Sequence, residues 1–153
     1  MKRRQQILKT IPTKTGYTFK YWATSTDSKT EYSFDTLVVD NLVLYSVWEK
    51  NTYTVTFIGG EGISGVPTSQ SVKYEEKATN PETKPTRTGY TFKYWATSIE
   101  SKTEYSFDTL VVDNLTLYPV FEISKFTVTF VGATGVSSGQ YSDTNRNMNE
   151  QGM

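Results

Sequence analysis

Four carboxylates, Asp27, Glu31, Asp35 and Asp40, recur 73 residues on as Glu100, Glu104, Asp108 and Asp113. Two carboxylates held across a cleft hydrolyse glycosides, one as acid and the other as base or nucleophile. Clustered carboxylates also bind calcium, but the Asp-x-Asp-x-Asp-Gly loop is missing. A recurring unit this short leaves little room for a substrate cleft, so turn caps and solvated faces are the competing reading. GEGISG at 60–65 fits GxGxxG and follows a strand-like stretch. Pyrophosphate binding needs a helix N-terminus next, whose N–H groups meet the phosphates. VPTS and a second strand-like stretch follow instead, so this reads as a hairpin loop. The third candidate set is aromatic: Tyr17, Phe19, Tyr21 and Trp22, repeated as Tyr90, Phe92, Tyr94 and Trp95. Facing water, such rings stack on sugars; facing inward, they supply the large apolar payload a small domain needs.

Composition narrows the chemistry. The 153 residues contain no Cys and no His. A disulfide framework, a thiol nucleophile and a serine triad are therefore excluded, along with the commonest metal ligand. Sixteen basic and sixteen acidic residues cancel, which gives no reason to expect nucleic acid or an anionic membrane as partner. No apolar run is long enough to cross a membrane. The basic start, with Lys2, Arg3 and Arg4, lacks the apolar segment of a signal peptide and reads as a solvated terminus. No cofactor or metal is expected. Asn114-Leu-Thr is a glycosylation sequon, meaningful only in a host that modifies it.

The elements that must position these residues are duplicated. TGYTFKYWATS at 15–25 returns letter for letter at 88–98, an offset of 73. The match extends over 15–49 and 88–122, with five differences, among them Ser46/Pro119 and Trp48/Phe121. YTVTF at 53–57 returns as FTVTF at 126–130. Fixed-period self-similarity sets the organisation. Residues 1–6 are a basic terminus. Residues 7–49 are a partial repeat lacking its first strands, 53–122 a complete repeat, and 126–139 a partial repeat with its first strand only. Residues 140–153 read as a disordered polar tail. Alternation predicts strands at 53–57, 69–74, 89–96 and 115–122. The two prolines in 78–85 predict an extended connection. Asp108 is a candidate cap for one helical turn near 107–114. Strict alternation sets Tyr90, Phe92 and Tyr94 on one face and Trp95 on the other, unless a bulge intervenes.

These pieces together resemble the Listeria–Bacteroides repeat, the B-repeat of internalin-type bacterial surface proteins. The resemblance rests on YTVTF and its Gly-rich loop, then GYTFKYW, then FDTLVVDNLTLY, and covers about residues 7–136. It implies a mostly β, small α+β fold of tandem β-grasp-like repeats, one complete and two partial. It implies an extracellular, bacterial cell-surface setting and a non-enzymatic stalk or protein-interaction segment of an adhesin-like protein. The alternative is a carbohydrate- or cell-wall-binding module using exposed aromatics; Tyr94, Tyr118, Tyr21 and Tyr45 are the candidate interaction surface. An enzyme using the recurrent carboxylates and a gene remnant are further alternatives. Expected partners are other repeats of the same or a neighbouring chain, and host or cell-wall proteins or glycans. Secretion and wall-anchoring signals are missing, and the chain starts and stops in mid-repeat. Both features suggest a piece of something longer.

The 7–49 piece lies near the size of about 40 residues below which lone domains usually need a staple. Without its first strands it leaves an apolar face and a sheet edge open. The C-terminal piece carries the strand that the N-terminal piece lacks.

Overall fold

In the computed structural model, residues 11–129 and 140–141 are described. The basic terminus 1–6, the start of the 7–49 piece, all of 130–139 and the tail from 142 lie outside the described residues. Twelve strands appear among the described residues. They are β1 (Tyr17–Ala23), β2 (Tyr45–Lys50), β3 (Thr52–Phe57), β4 (Ile63–Ser64), β5 (Gln70–Lys73), β6 (Glu76–Lys77), β7 (Thr86–Arg87), β8 (Tyr90–Ala96), β9 (Leu110–Val111), β10 (Leu115–Ile123), β11 (Val128–Thr129) and β12 (Gln140–Tyr141). No helix occurs among them, so the protein is mostly β, as Thr, Val and aromatic content dictates. Near Asp108 the chain closes a tight turn instead of a helical one. Thr109 N–H donates to Ser106 O at 3.0 Å, and Asp108 N–H to Ser106 Oγ at 3.3 Å. Ser106 is thus the capping residue, and β9 follows at once.

The two copies of the repeated stretch pair alike. β1 and β2 run antiparallel with Phe19 opposite Trp48 and Tyr21 opposite Val47. In β8 and β10, Phe92 lies opposite Phe121 and Tyr94 opposite Val120. In each case the register slips by one residue, so Lys20 and Lys93 are bulged. The extra residue resets the alternation. It brings Phe19 and Trp22 together at 5.5 Å between ring centroids, and Phe92 and Trp95 at 5.5 Å. Tyr21 and Tyr94 pass to the opposite face. Each bulged lysine reaches a glutamate across the ladder, Lys20 to Glu49 at 2.8 Å and Lys93 to Glu122 at 3.1 Å.

The chain divides into two compact units. The first comprises residues up to Val55, Ser69–Asn80 and Ser106–Leu115; the second comprises Thr56–Thr68, Pro81–Tyr105 and residues from Thr116 on. In the first unit β1 pairs β2, β3 pairs β5 and β6 pairs β9, all antiparallel. Ala23, Val55, Val72, Ala78 and Val111 are buried there. Val55 and Val72 are the inward positions that alternation assigns to β3 and β5.

In the second unit the order is β4, β7, β8, β10, again antiparallel. Trp95, at 2% exposure, is its centre. Phe57 meets the Trp95 ring at 4.9 Å, and Phe92 meets Phe121 at 5.9 Å. Leu117, Ala96 and Pro85 complete the buried set. β11 pairs β12 at the far end of the sequence. The Gly-rich stretch turns and leads into β4, so its N–H groups form no helix terminus.

Candidate interaction surface

Three of the eight recurrent carboxylates make local hydrogen bonds. Asp40 and Asp113 each accept, through Oδ1, the N–H of the next residue at 2.7 Å. Both therefore brace turns. Asp108 accepts from Lys77 Nζ at 2.7 Å, and that hydrogen bond holds its carboxyl below the usual carboxylate range. Lys20 does the same for Glu49, whose carboxyl is likewise lowered, while the Lys20 ammonium is raised. Asp27, Glu31, Asp35, Glu100 and Glu104 are exposed. Among the described residues no three acidic side chains gather where a metal ion would fit.

The four candidate tyrosines lie on the ladder face turned away from the Phe–Trp clusters. Ala23 stands opposite Tyr45 and Val47 opposite Tyr21, so Tyr21 and Tyr45 share a face as diagonal neighbours. Tyr94 and Tyr118 repeat that relation in the second copy. Tyr45 is 42% exposed; Tyr21, Tyr94 and Tyr118 are half-buried. The structure thus groups them two and two, within their own ladders. Trp48 and Phe121 lie on the other face, where Trp48 Nε1 donates to Ser46 Oγ at 2.8 Å. In the second copy both partners change together. Phe121 has no N–H to satisfy, and Pro119 offers no side-chain acceptor.

A joint not visible in the repeat pattern lies at residues 50–52. Asn51 N–H donates to Gly16 O at 2.9 Å, and Asn51 O accepts from Tyr74 N–H at 2.8 Å. Thr18 Oγ1 donates to Asn51 Oδ1 at 2.6 Å. Above it, the Tyr74 ring packs against Tyr17 at 5.9 Å and Tyr53 at 6.4 Å. Desolvation, then the Glu75 carboxylate, pushes the Tyr74 hydroxyl above its ordinary value. Gly16 has φ +74°, and a Cβ there would overlap the Tyr74 ring. Gly89, its copy, has φ +78° and open space beside it. Ser124 repeats the anchoring hydrogen bond, its N–H donating to Gly89 O at 2.9 Å. A shallow groove of about 570 Å³ runs beside the joint past Thr18, Lys50, Asn51 and Asn114. Glu49, which pairs with Lys20, also lines it.

The largest difference between the copies is what covers them. In the first unit, β6 pairs with β9, Glu75 N–H donates to Val111 O at 2.9 Å, and Thr54 N–H donates to Asn114 Oδ1 at 2.9 Å. Val111 is 3% exposed as a result, whereas its copy Val38 is 49% exposed. Phe34, Leu42 and Val43 are also exposed, while Phe107, Leu115 and Thr116 are half-buried. Val38 and Val111 are the same residue in the two copies and differ because, among the described residues, only the second copy has a β6-like strand paired onto it.

The Listeria-Bacteroides repeat domain family matches residues 2–47 and 53–120. Internalin H of Listeria monocytogenes is 35% identical over 116 residues, which is 73% of this chain and 20% of that protein. Two proteins of Evansella cellulosilytica carrying membrane-protein names, one of them Gly-rich, are 33% and 31% identical. They align over 78% and 79% of this chain and over 14% and 18% of their own lengths. The chain thus spans a fifth or less of these relatives. No solved structure matches it. No described helix is long and apolar enough to cross a membrane.

Proposed function

Because this chain belongs to the Listeria-Bacteroides repeat domain family, we propose that it works as a non-enzymatic repeat module. In this reading it is a stalk or protein-interaction segment of a bacterial cell-surface, adhesin-like protein. The supporting observation is where the duplicated aromatics go. Trp95, Phe57, Phe92 and Phe121 pack on one another, Asp40 and Asp113 brace turns, Asp108 pairs with Lys77, and the other recurrent acids are exposed. Residues placed this way hold a shape and leave no acid and base facing one substrate. The short join at 50–52 is pinned by backbone hydrogen bonds to both neighbours, which suits a segment that must keep its length. Placed between a surface anchor and a reporter binding domain, the chain should hold the reporter farther out and leave its ligand choice unchanged. A reporter no more accessible than with the chain deleted contradicts the stalk.

The second reading, glycan or cell-wall binding, is favoured by one feature: the paired tyrosines on each ladder, with Tyr45 the most open. That reading expects saturable binding to glycans or cell-wall fragments, lost in Tyr45→Ala and Tyr118→Ala. The module reading expects no such binding.

A further inference from the structure

We propose that the open apolar face of residues 33–43 is an interface for a second copy of this chain, and that its occupant is the strand segment beginning at Phe126. This deepens the interaction-module reading and rests on it.

The internal duplication supplies the mould. Where the second copy is covered, the cover comes from 53–80. Thr54 N–H of β3 donates to the Asn114 side chain, Glu75 N–H of the β5–β6 turn to Val111 O, Lys77 pairs with Asp108, and β6 adds to β9. The first copy carries the same groups at Asn41, Val38 and Asp35. In the structure Val38, Leu42 and Val43 are exposed, and among the described residues no such strand pairs there. The piece that would fit is also present. FTVTF at 126–130 repeats YTVTF at 53–57. Val55 is fully buried, yet its copy Val128 is 57% exposed and Phe126 is exposed as well. One chain therefore displays both an uncovered face and an unused cover of the same repeat. Strand addition in trans joins them through main-chain hydrogen bonds and apolar side chains. The contact is heterologous, with different surfaces on the two partners. A single copy in solution keeps apolar surface wet at both places, and association removes both at once.

The test is the mass of the full chain in solution over rising concentration, by light scattering or sedimentation, for wild type, Val38→Asp and Val128→Asp. Both positions are exposed, so neither substitution disturbs the single copy. Wild type should grow beyond 17.4 kDa. Each variant alone should stay monomeric, its association weakened roughly tenfold or more by an unpaired carboxylate in the interface. Mixed one to one, the two variants should form heterodimers, because each retains the surface the other has lost. This rescue also shows that both are folded. A wild type that stays monomeric throughout overturns the proposal and leaves the structural-module reading standing. Association that survives Val128→Asp overturns it too, since it assigns the face to self-packing or another occupant. Failure of the mixed variants to pair, with wild type associating, contradicts the complementation as well.

Discussion

Gly16→Ala and Gly89→Ala are one substitution made twice in the same local sequence, at φ +74° and +78°. An L residue in the left-handed region costs about 1–2 kcal/mol. Ala also restricts the unfolded chain and returns about 0.4–1 kcal/mol of that. Gly89→Ala has open space beside it, so its net loss should be about 0.5–1 kcal/mol. Gly16→Ala must in addition displace the Tyr74 ring, whose near edge includes the root atom Cγ and which no small end-group rotation can clear. Moving that ring gives up two aromatic contacts, to Tyr17 and Tyr53, worth about 0.5–1.5 kcal/mol each. Overpacking in general costs about 1–3 kcal/mol, the same range. The two substitutions should therefore differ by about 2 kcal/mol. At about 2–4 °C per kcal/mol for a chain this size, the gap in Tm is about 4–8 °C. Thermal unfolding followed by near-ultraviolet circular dichroism reads both the transition and the Tyr environment. In a Tyr74→Ala background the extra cost of Gly16→Ala should vanish, a non-additivity of about 2 kcal/mol. Equal losses at Gly16 and Gly89, or an extra cost that persists without the Tyr74 ring, would refute the reasoning.

Other matched positions give sharper comparisons than single variants do. Val111→Ala should cost about 2 kcal/mol by lost burial plus a cavity, and Val38→Ala in the monomer about 0.5 kcal/mol or less, by urea unfolding. A double-mutant cycle on Ser46→Ala and Trp48→Phe should show about 1 kcal/mol of coupling, because either change alone breaks one hydrogen bond. Titration of Asp108 by carboxyl-carbon resonances should place its pKa below the ordinary carboxylate range, and Lys77→Met should return it there. A lowered folded pKa adds stability that is present above the unfolded pKa and fades as pH falls through the folded one. Both groups are more than half exposed, so Lys77→Met should leave unfolding at neutral pH nearly unchanged.

Alternation exposed the long strands because each packs one face inward and the period of two survives in the letters. β3, β8 and β10 fall within a residue of the predicted ranges. The bulges at Lys20 and Lys93 did not show, since a single extra residue alters no composition and appears only in the pairing register. That slip decides which face Trp95 and Tyr94 take. Two-residue ladders such as β6–β9 are too short to carry a period. Ser106 and Asp108 are both good turn formers, and only the hydrogen bonds tell them apart. The joint was hidden for a different reason. Gly16 and Gly89 lie in identical eleven-letter stretches, and what separates them is a tyrosine 58 positions after Gly16. The Ser46–Trp48 hydrogen bond was legible in principle. Two of the five differences between the copies fall on it, and a donor and its acceptor vanish together.

The account holds that residues 106–117 are protected because a front pair lies on them, and that their copies 33–44, with no such pair among the described residues, are not. Amide hydrogen exchange on the dilute chain tests this within one molecule, by comparing 106–117 with its copy 33–44. Exchange at 106–117 should be slower by about tenfold or more, since β9 is paired and Val111 buried there. Equal exchange in the two segments, or slower exchange at 33–44, would contradict it.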